Sequence, residues 1–358
     1  MSTEFLSLPG AVGETVPQHY GNPIGEQRAL AAGRAIVDLS DRAVLTVTGP
    51  DRLSWLNSIT SQELGALQPG EGAETLVLGV TGRLEHAARV LDDGVSTWLL
   101  IDEASALEAF LLSMRFMLRV EIEDRTAEYA TIGTLGEGLV TAAAPNGVPL
   151  EWVDPWRQVV AGGHQYATAA EHPAAEWTYR EILVSRSELG SLTGLPVAGT
   201  LALEALRIAA WRPRFATEVD EKTIPHELDW LRSAVHLNKG CYRGQETVAK
   251  VHNLGHPPRR LVMLHLDGTD AVLPEPGNDV LDGDKLVGHI TSVGMHHELG
   301  PIALAVIKRM VDPAHPLTAR TSELDVAAAQ EVIVPPSAGA EANVPRLPRL
   351  GAVTRPQR

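Results

Sequence analysis

A chain of 358 residues is long enough for two or three domains with a large buried core. Its 44% apolar and 21% charged residues are ordinary for a globular protein, and no run approaches the roughly 18 consecutive apolar residues of a membrane span. The net charge of −15, from 30 basic against 45 acidic residues, argues against a broad nucleic-acid surface.

The first ten residues carry no basic n-region, so a secretory signal is not expected and the cytoplasm is the predicted location. Residues 43–48 (AVLTVT) are β-branched and alternate, predicting a strand. Gly49-Pro50 then opens a predicted helix to about Leu67, with Pro50 suited to its first position. Residues 75–80, 87–92 and 95–101 read as strands, separated by turn signals at Gly82 and Asp93-Gly94. Asp102 is a predicted cap for the next helix, which places Leu107, Phe110, Leu111 and Met114 on one buried face. Residues 117–123 return as a strand.

A second unit spans residues 129–211 and ends in a helix capped by Thr200 and terminated by Pro213. Residues 214–258 form a long connection rich in Pro, Gly, His and charge. From Arg260 the pattern is all-β: short strands at 261–266, 280–281, 286–293 and 302–307, with a hairpin signal at Asp282-Gly283, predict a small barrel. Beyond Pro335 the Ala/Pro/Arg-rich composition predicts a disordered tail. The expected organisation is therefore 1–128, 129–258, 259–334 and a tail at 335–358.

Cys241 is the only cysteine, which excludes an intrachain disulfide and any metal or cluster site held by several cysteines of one chain. No dedicated metal site is expected, because His296 and His297 are neighbours on a predicted strand and alternate between faces. Around the thiol, residues 236–256 (HLNKGCYRGQETVAKVHNLGH) differ from the rest of the chain. Lys239, Arg243, Lys250, Arg259 and Arg260 face a single acid, Glu246. Gly240 and Gly244 permit conformations closed to other residues. With Lys239 and Arg243 two residues away on either side, a turn bringing both to the sulfur would favour the thiolate. The alternative is a small buried hydrophobe in a Gly-rich turn.

The run Lys239-Gly240-Cys241-Tyr242-Arg243-Gly244-Gln245-Glu246 resembles the K-G-C-[FY]-x-G-Q-E signature of the YgfZ-type folate-binding proteins, relatives of the glycine-cleavage T-protein. The stretches 207–213 and 218–227 are similar to the segment these proteins place just before the signature, and Val37-Asp38-Leu39-Ser40 with residues 47–51 resembles the start of the folate domain. What the resemblance implies is an α+β folate-binding body of mixed sheets and helices, followed by a small C-terminal β-barrel, with tetrahydrofolate or a derivative in a central channel. It assigns Cys241 as the functional thiol and Arg207 as a partner for the ligand's carboxylates. It implies iron–sulfur assembly or client proteins as partners, and an indirect link to tRNA-modifying enzymes that carry clusters.

One departure concerns chemistry. A G-G-x-x-D-D segment supplies the T-protein's carboxylate beside the reacting folate nitrogens, and the matching residues are Gly82-Arg83-Leu84-Glu85-His86-Ala87. By register His86 replaces the first Asp, and Glu85 on a regular strand points to the opposite face. The primary expectation is therefore a folate-dependent accessory protein of iron–sulfur cluster metabolism, acting through Cys241 rather than as a conventional enzyme. The alternatives are a tetrahydrofolate-dependent aminomethyltransferase with Glu85 as the carboxylate, and a non-catalytic scaffold on the same fold.

Overall fold

Two five-stranded sheets and a closed six-stranded barrel surround a shared core in the computed structural model, which describes residues 4–269 and 272–342. The chain enters through α1 (Pro23–Ala31) and β1 (Ile36–Asp38). It continues through β2 (Ala43–Thr48), α2 (Arg52–Ile59), β3 (Gly72–Leu78), β4 (Leu84–Asp92), β5 (Ser96–Ile101), α3 (Ala104–Met114) and β6 (Glu121–Asp124). Antiparallel pairing in the order β3-β4-β5-β2-β6 makes the first sheet. Trp55, Leu56, Leu107 and Leu111 of α2 and α3 bury its outer face.

The next elements are β7 (Tyr129–Thr134), β8 (Glu151–Val153), β9 (Arg180–Ser185), the single turn α4 (Leu189–Leu192), β10 (Val197–Ala198) and α5 (Thr200–Ala209). The second sheet has the order β10-β1-β7-β9-β8. It therefore takes β1 from the first 128 residues, and the two body units share strands rather than dividing at that point. The connection holds α6 (Phe215–Glu218) and α7 (Gln245–Leu254). The barrel follows: β11 (Arg259–Leu266), β12 (Asp279–Asp282), β13 (Lys285–His296), β14 (Gly300–Lys308), β15 (Leu317–Arg320) and β16 (Asp325–Val332).

Period-two alternation explains how the barrel docks. Val262, Leu264, Ala303 and Ala305 fill its interior, while Leu261, Met263, Ile302 and Leu304 on the opposite faces join the core of the body. The expected Asp282-Gly283 hairpin forms, with Gly283 at φ +59°.

Several local expectations are corrected. The helix from Pro50 stops at Ile59 instead of Leu67, because Thr60 turns extended and Ser61 leaves to bond β3 and the connection: its hydroxyl accepts from Leu76 N at 2.9 Å and donates to Ala234 O at 2.6 Å. Met117 takes a left-handed φ of 54°, so the strand predicted at 117–123 begins only at Glu121. Met114, expected on the buried face of α3, is 39% exposed. Gly199, not Thr200, precedes the first turn of α5. Residues 335–342, expected in the tail, are held in place: the backbone N–H groups of Glu341 and Ala342 donate to His252 O and Asn253 O at the end of α7 (2.9 and 3.2 Å). A helix end leaves such carbonyls without intrahelical partners, and this segment satisfies them. Residues 343–358 lie outside the described residues. Among the described residues, no helix is long and apolar enough to cross a membrane.

Buried arginines stitch the parts together. Arg212 donates to Glu74 at 2.6 Å and to Asp154 at 2.9 Å, all three side chains being nearly fully buried. Breaking such a pair leaves buried charge without compensation, at a cost of about 3–5 kcal/mol. The variant Arg212→Met is expected to lose stability of that order in urea denaturation, and adding Glu74→Gln with Asp154→Asn is expected to restore part of it.

Candidate functional site

The signature packs against the first sheet and the end of α2, and most of its side chains fasten it there. Lys239 is buried, and its Nζ donates to Asn57 O, Thr60 O and Gln62 O at 2.5–2.9 Å, where α2 ends. Its ammonium also lies 5.3 Å from the Tyr242 ring centre. Burial lowers its pKa to about 8, with Glu63 opposing the shift. Arg243 Nη1 donates to Glu85 at 2.8 Å, and its guanidinium covers Phe110. Gln245 closes the loop onto Lys239 O at 3.2 Å, and Glu246 is exposed in the first turn of α7.

Cys241 is exposed and unbonded to another cysteine. The two cations expected to converge on its sulfur hold other partners: Lys239 reaches into the end of α2 and Arg243 reaches Glu85. The glycines also differ from expectation. Only Gly244 is left-handed, at φ +83°, and a Cβ there would meet Gly79 O at 2.6 Å; a Cβ at Gly240 would meet nothing within 4 Å. Gly244 is thus required by the close approach of the loop to the β3–β4 hairpin.

That hairpin carries Glu85 and His86. The β3–β4 register pairs Val77 with His86 and Leu78 with Leu84, leaving Glu85 as the extra residue of a bulge. A bulge breaks alternation and re-aims side chains. The opposite-face expectation for Glu85 is corrected accordingly: the extra residue interrupts the alternation between Glu85 and His86, and both border the same cavity. The His86 ring lies 5.9 Å from Phe110. Burial lowers its pKa, with Glu85 acting the other way, so neutral imidazole is the favoured form at neutral pH.

The cavity is an open cleft of about 570 Å³ between the two sheets, α3 and α5. Trp152, Trp177, Tyr179, Phe215 and Trp230 give it aromatic walls. Its polar lining is dense. Arg42 and Tyr179 both donate to Glu181, and Arg89 Nε lies 3.0 Å from the same carboxylate. Burial pushes the Asp102 carboxyl up, but Arg89, Arg42 and Arg214 outweigh it and hold the group well below the usual carboxylate range. Trp230 Nε1 is a buried donor with no acceptor among the described residues.

Arg207 lines the cavity too, but its guanidinium is occupied. It donates to both Glu204 oxygens, to Glu218 at 2.9 Å, to Ser292 at 2.7 Å and to Arg212 O at 2.5 Å. This corrects its expected role as a free partner for a ligand's carboxylates: it joins α5 to the barrel. Sequence reading missed Arg42, Arg89, Glu181 and Tyr179, which are far apart in the chain and carry no local motif. It gave Asp102 a capping role, whereas Glu103 precedes α3 and Asp102 faces arginines. Among the described residues no group of three or more His, Cys, Asp or Glu side chains is arranged to hold a metal. His296 and His297 do meet, with ring centres 4.5 Å apart, because β13 ends at His296 and its alternation with it.

Comparison with known proteins places this geometry. Residues 259–336 match the family described as the glycine cleavage T-protein C-terminal barrel domain. A solved structure of the glycine cleavage system aminomethyltransferase T from Bartonella henselae superposes with a TM-score of 0.69 at 15% identity, covering 91% of this chain and 94% of its own. The fold is that of the T-protein. Over 327 residues the chain is 24% identical to an aminomethyltransferase of Streptomyces coelicolor, covering 85% of each. It is 25% identical over 308 residues to one of Symbiobacterium thermophilum, covering 78% of this chain and 80% of the relative.

In this T-protein fold the signature loop is a clamp on the hairpin that carries Glu85 and His86. Gly244→Ala places a side chain in a left-handed conformation, costing about 1–2 kcal/mol, and drives it into Gly79 O. It is expected to destabilise the protein by at least that amount in urea titration, whereas Gly240→Ala is expected to stay within about 0.5 kcal/mol of the wild type.

Proposed function

We propose that the protein binds a tetrahydrofolate in this cavity and acts there as a one-carbon transferase of the aminomethyltransferase kind. The observation that carries the reading is the bulge at Glu85, which brings a carboxylate and a neutral imidazole into one wall. The cavity's volume lies within the range of about 300–1,000 Å³ typical of small-molecule sites. Its aromatic walls fit a flat heterocycle, and Trp230 Nε1 offers a buried donor to a ring acceptor. When bound, a tetrahydrofolate supplies the nitrogen nucleophile that takes up the one-carbon unit. The chain's own groups orient the ring, exclude water and handle charge: Glu85, fixed by Arg243, supplies negative charge toward a developing cation, and neutral His86 is ready to accept a proton. The relatives named aminomethyltransferase support this reading over an accessory role.

A reduced folate at about 100 times its Kd is expected to add about 2.7 kcal/mol of stability and to quench the fluorescence of Trp152, Trp177 and Trp230. A melt and an emission spectrum unchanged at millimolar folate would remove the proposal. With a lipoyl-bound aminomethyl donor, Glu85→Gln and His86→Ala are each expected to lower transfer about 100-fold or more with folate binding retained. Because transfer uses neutral imidazole, the acid limb of the wild-type rate should fall below the ordinary imidazole range and disappear in His86→Ala.

A second reading keeps the YgfZ-type assignment, in which Cys241 serves iron–sulfur cluster assembly or repair. It is favoured by the exposure of Cys241 on a loop clamped to the cavity wall. Here Cys241→Ser should leave one-carbon transfer unchanged yet fail to restore cluster-enzyme activity in cells lacking the protein; full restoration would reject this reading.

A further inference from the structure

Five arginines line the cavity, and four have their forks engaged. Arg42 donates to Glu181; Arg89 donates to Leu100 O at 3.1 Å and to Asp102 at 3.4 Å; Arg207 and Arg212 hold the partners described above. Arg214 is the exception. Its backbone N–H is fixed by Glu218 at 2.8 Å, but its guanidinium makes no hydrogen bond among the described residues. Its Nε is sealed from solvent and 3.5 Å from Asp102 Oδ2, an ion pair without hydrogen-bond geometry.

The carboxylates near the Arg214 guanidinium already serve other arginines. Asp102 accepts from Arg89, and Glu204, whose ionised form Arg214 helps to favour, is held by Arg207. A guanidinium presents five N–H donors in a planar fork that matches a carboxylate, and a partly buried fork without acceptors is an unfilled half of such a pair. The nearby negative charges favour a planar monoanion over a doubly charged phosphate.

We infer that Arg214, rather than Arg207, is the anchor for a carboxylate carried by the ligand of this cavity. The inference rests on the folate reading only for the rest of that ligand's chemistry. The carboxylate has two possible sources, the glutamyl tail of a folate or a small amino acid. In either case Arg214 grips the anion while the tryptophans hold apolar or aromatic parts. Since among the described residues its guanidinium makes one ion pair and no hydrogen bond, replacing it is expected to leave the fold intact.

Calorimetric titration of the full chain tests this with four probes: 5-formyltetrahydrofolate, its tail alone as p-aminobenzoylglutamate, the tail-less 6,7-dimethyltetrahydropterin, and sarcosine. Arg214→Gln is expected to stay folded with a melting temperature lowered only by the loss of the Asp102 ion pair, to bind the folate and the isolated tail about 10- to 100-fold more weakly, and to bind the pterin unchanged. Arg214→Lys should recover only part of the loss, because an ammonium lacks the fork. If the loss falls on sarcosine instead, Arg214 anchors an amino-acid carboxylate, and the folate reading is then decided by wild-type folate binding alone. The inference is overturned if Arg214→Gln binds every probe as tightly as the wild type, if it loses the pterin in equal measure, or if the wild type takes none of the carboxylate probes.

Discussion

Buried charge is the constraint on which the architecture rests. A buried guanidinium or carboxylate is tolerated only when paired and hydrogen-bonded. Here Arg42, Arg207 and Arg212 each join elements distant in the chain. Arg42 ties the segment after β1 to β9, Arg212 ties β3 to the segment after β8, and Arg207 ties α5 to α6 and the barrel. These contacts surround the cavity, so the same groups that fasten the sheets also give its wall a fixed polarity. An apolar seam could join the parts as firmly, but it would leave no ordered array of donors and acceptors facing a ligand.

The signature loop applies the same logic at the rim. Three backbone carbonyls at the end of α2 receive one ammonium, Gly244 lets two backbones approach within contact distance, and Arg243 fixes the carboxylate of the bulge. Movement of the loop and movement of Glu85 are therefore coupled through a short chain of direct contacts. This gives the exposed Cys241 a mechanical connection to the cavity without requiring its sulfur to enter it.

Against this background Arg214 stands apart from the other cavity arginines. Its neighbours hold it in position electrostatically while its guanidinium makes no hydrogen bond among the described residues, which is the condition of a preorganised binding group. The contrast with Arg207 is instructive. Both are arginines of the same short segment, yet one is consumed by structure and the other lines the cavity with no hydrogen bond to its guanidinium among the described residues, a distinction made by partners contributed from α5, α6 and the barrel.

The sequence by itself determined the strand alternation of the first sheet and the barrel, the hairpin at Asp282-Gly283, the special character of residues 239–246 and the likeness to T-protein folate domains. Each follows from neighbours within a few residues, where periodicity and turn chemistry act. Tertiary structure decided the rest. Whether Lys239 and Arg243 meet the thiol depended on carbonyls at residues 57–62 and a carboxylate at Glu85, far off in sequence. Whether Glu85 and His86 share a wall depended on a bulge, and a bulge is a property of two paired strands that the residues of one strand do not specify. The roles of Arg42, Arg89, Asp102 and Glu181 arose only when separate elements converged, because ion pairing acts through space and leaves no period in the chain.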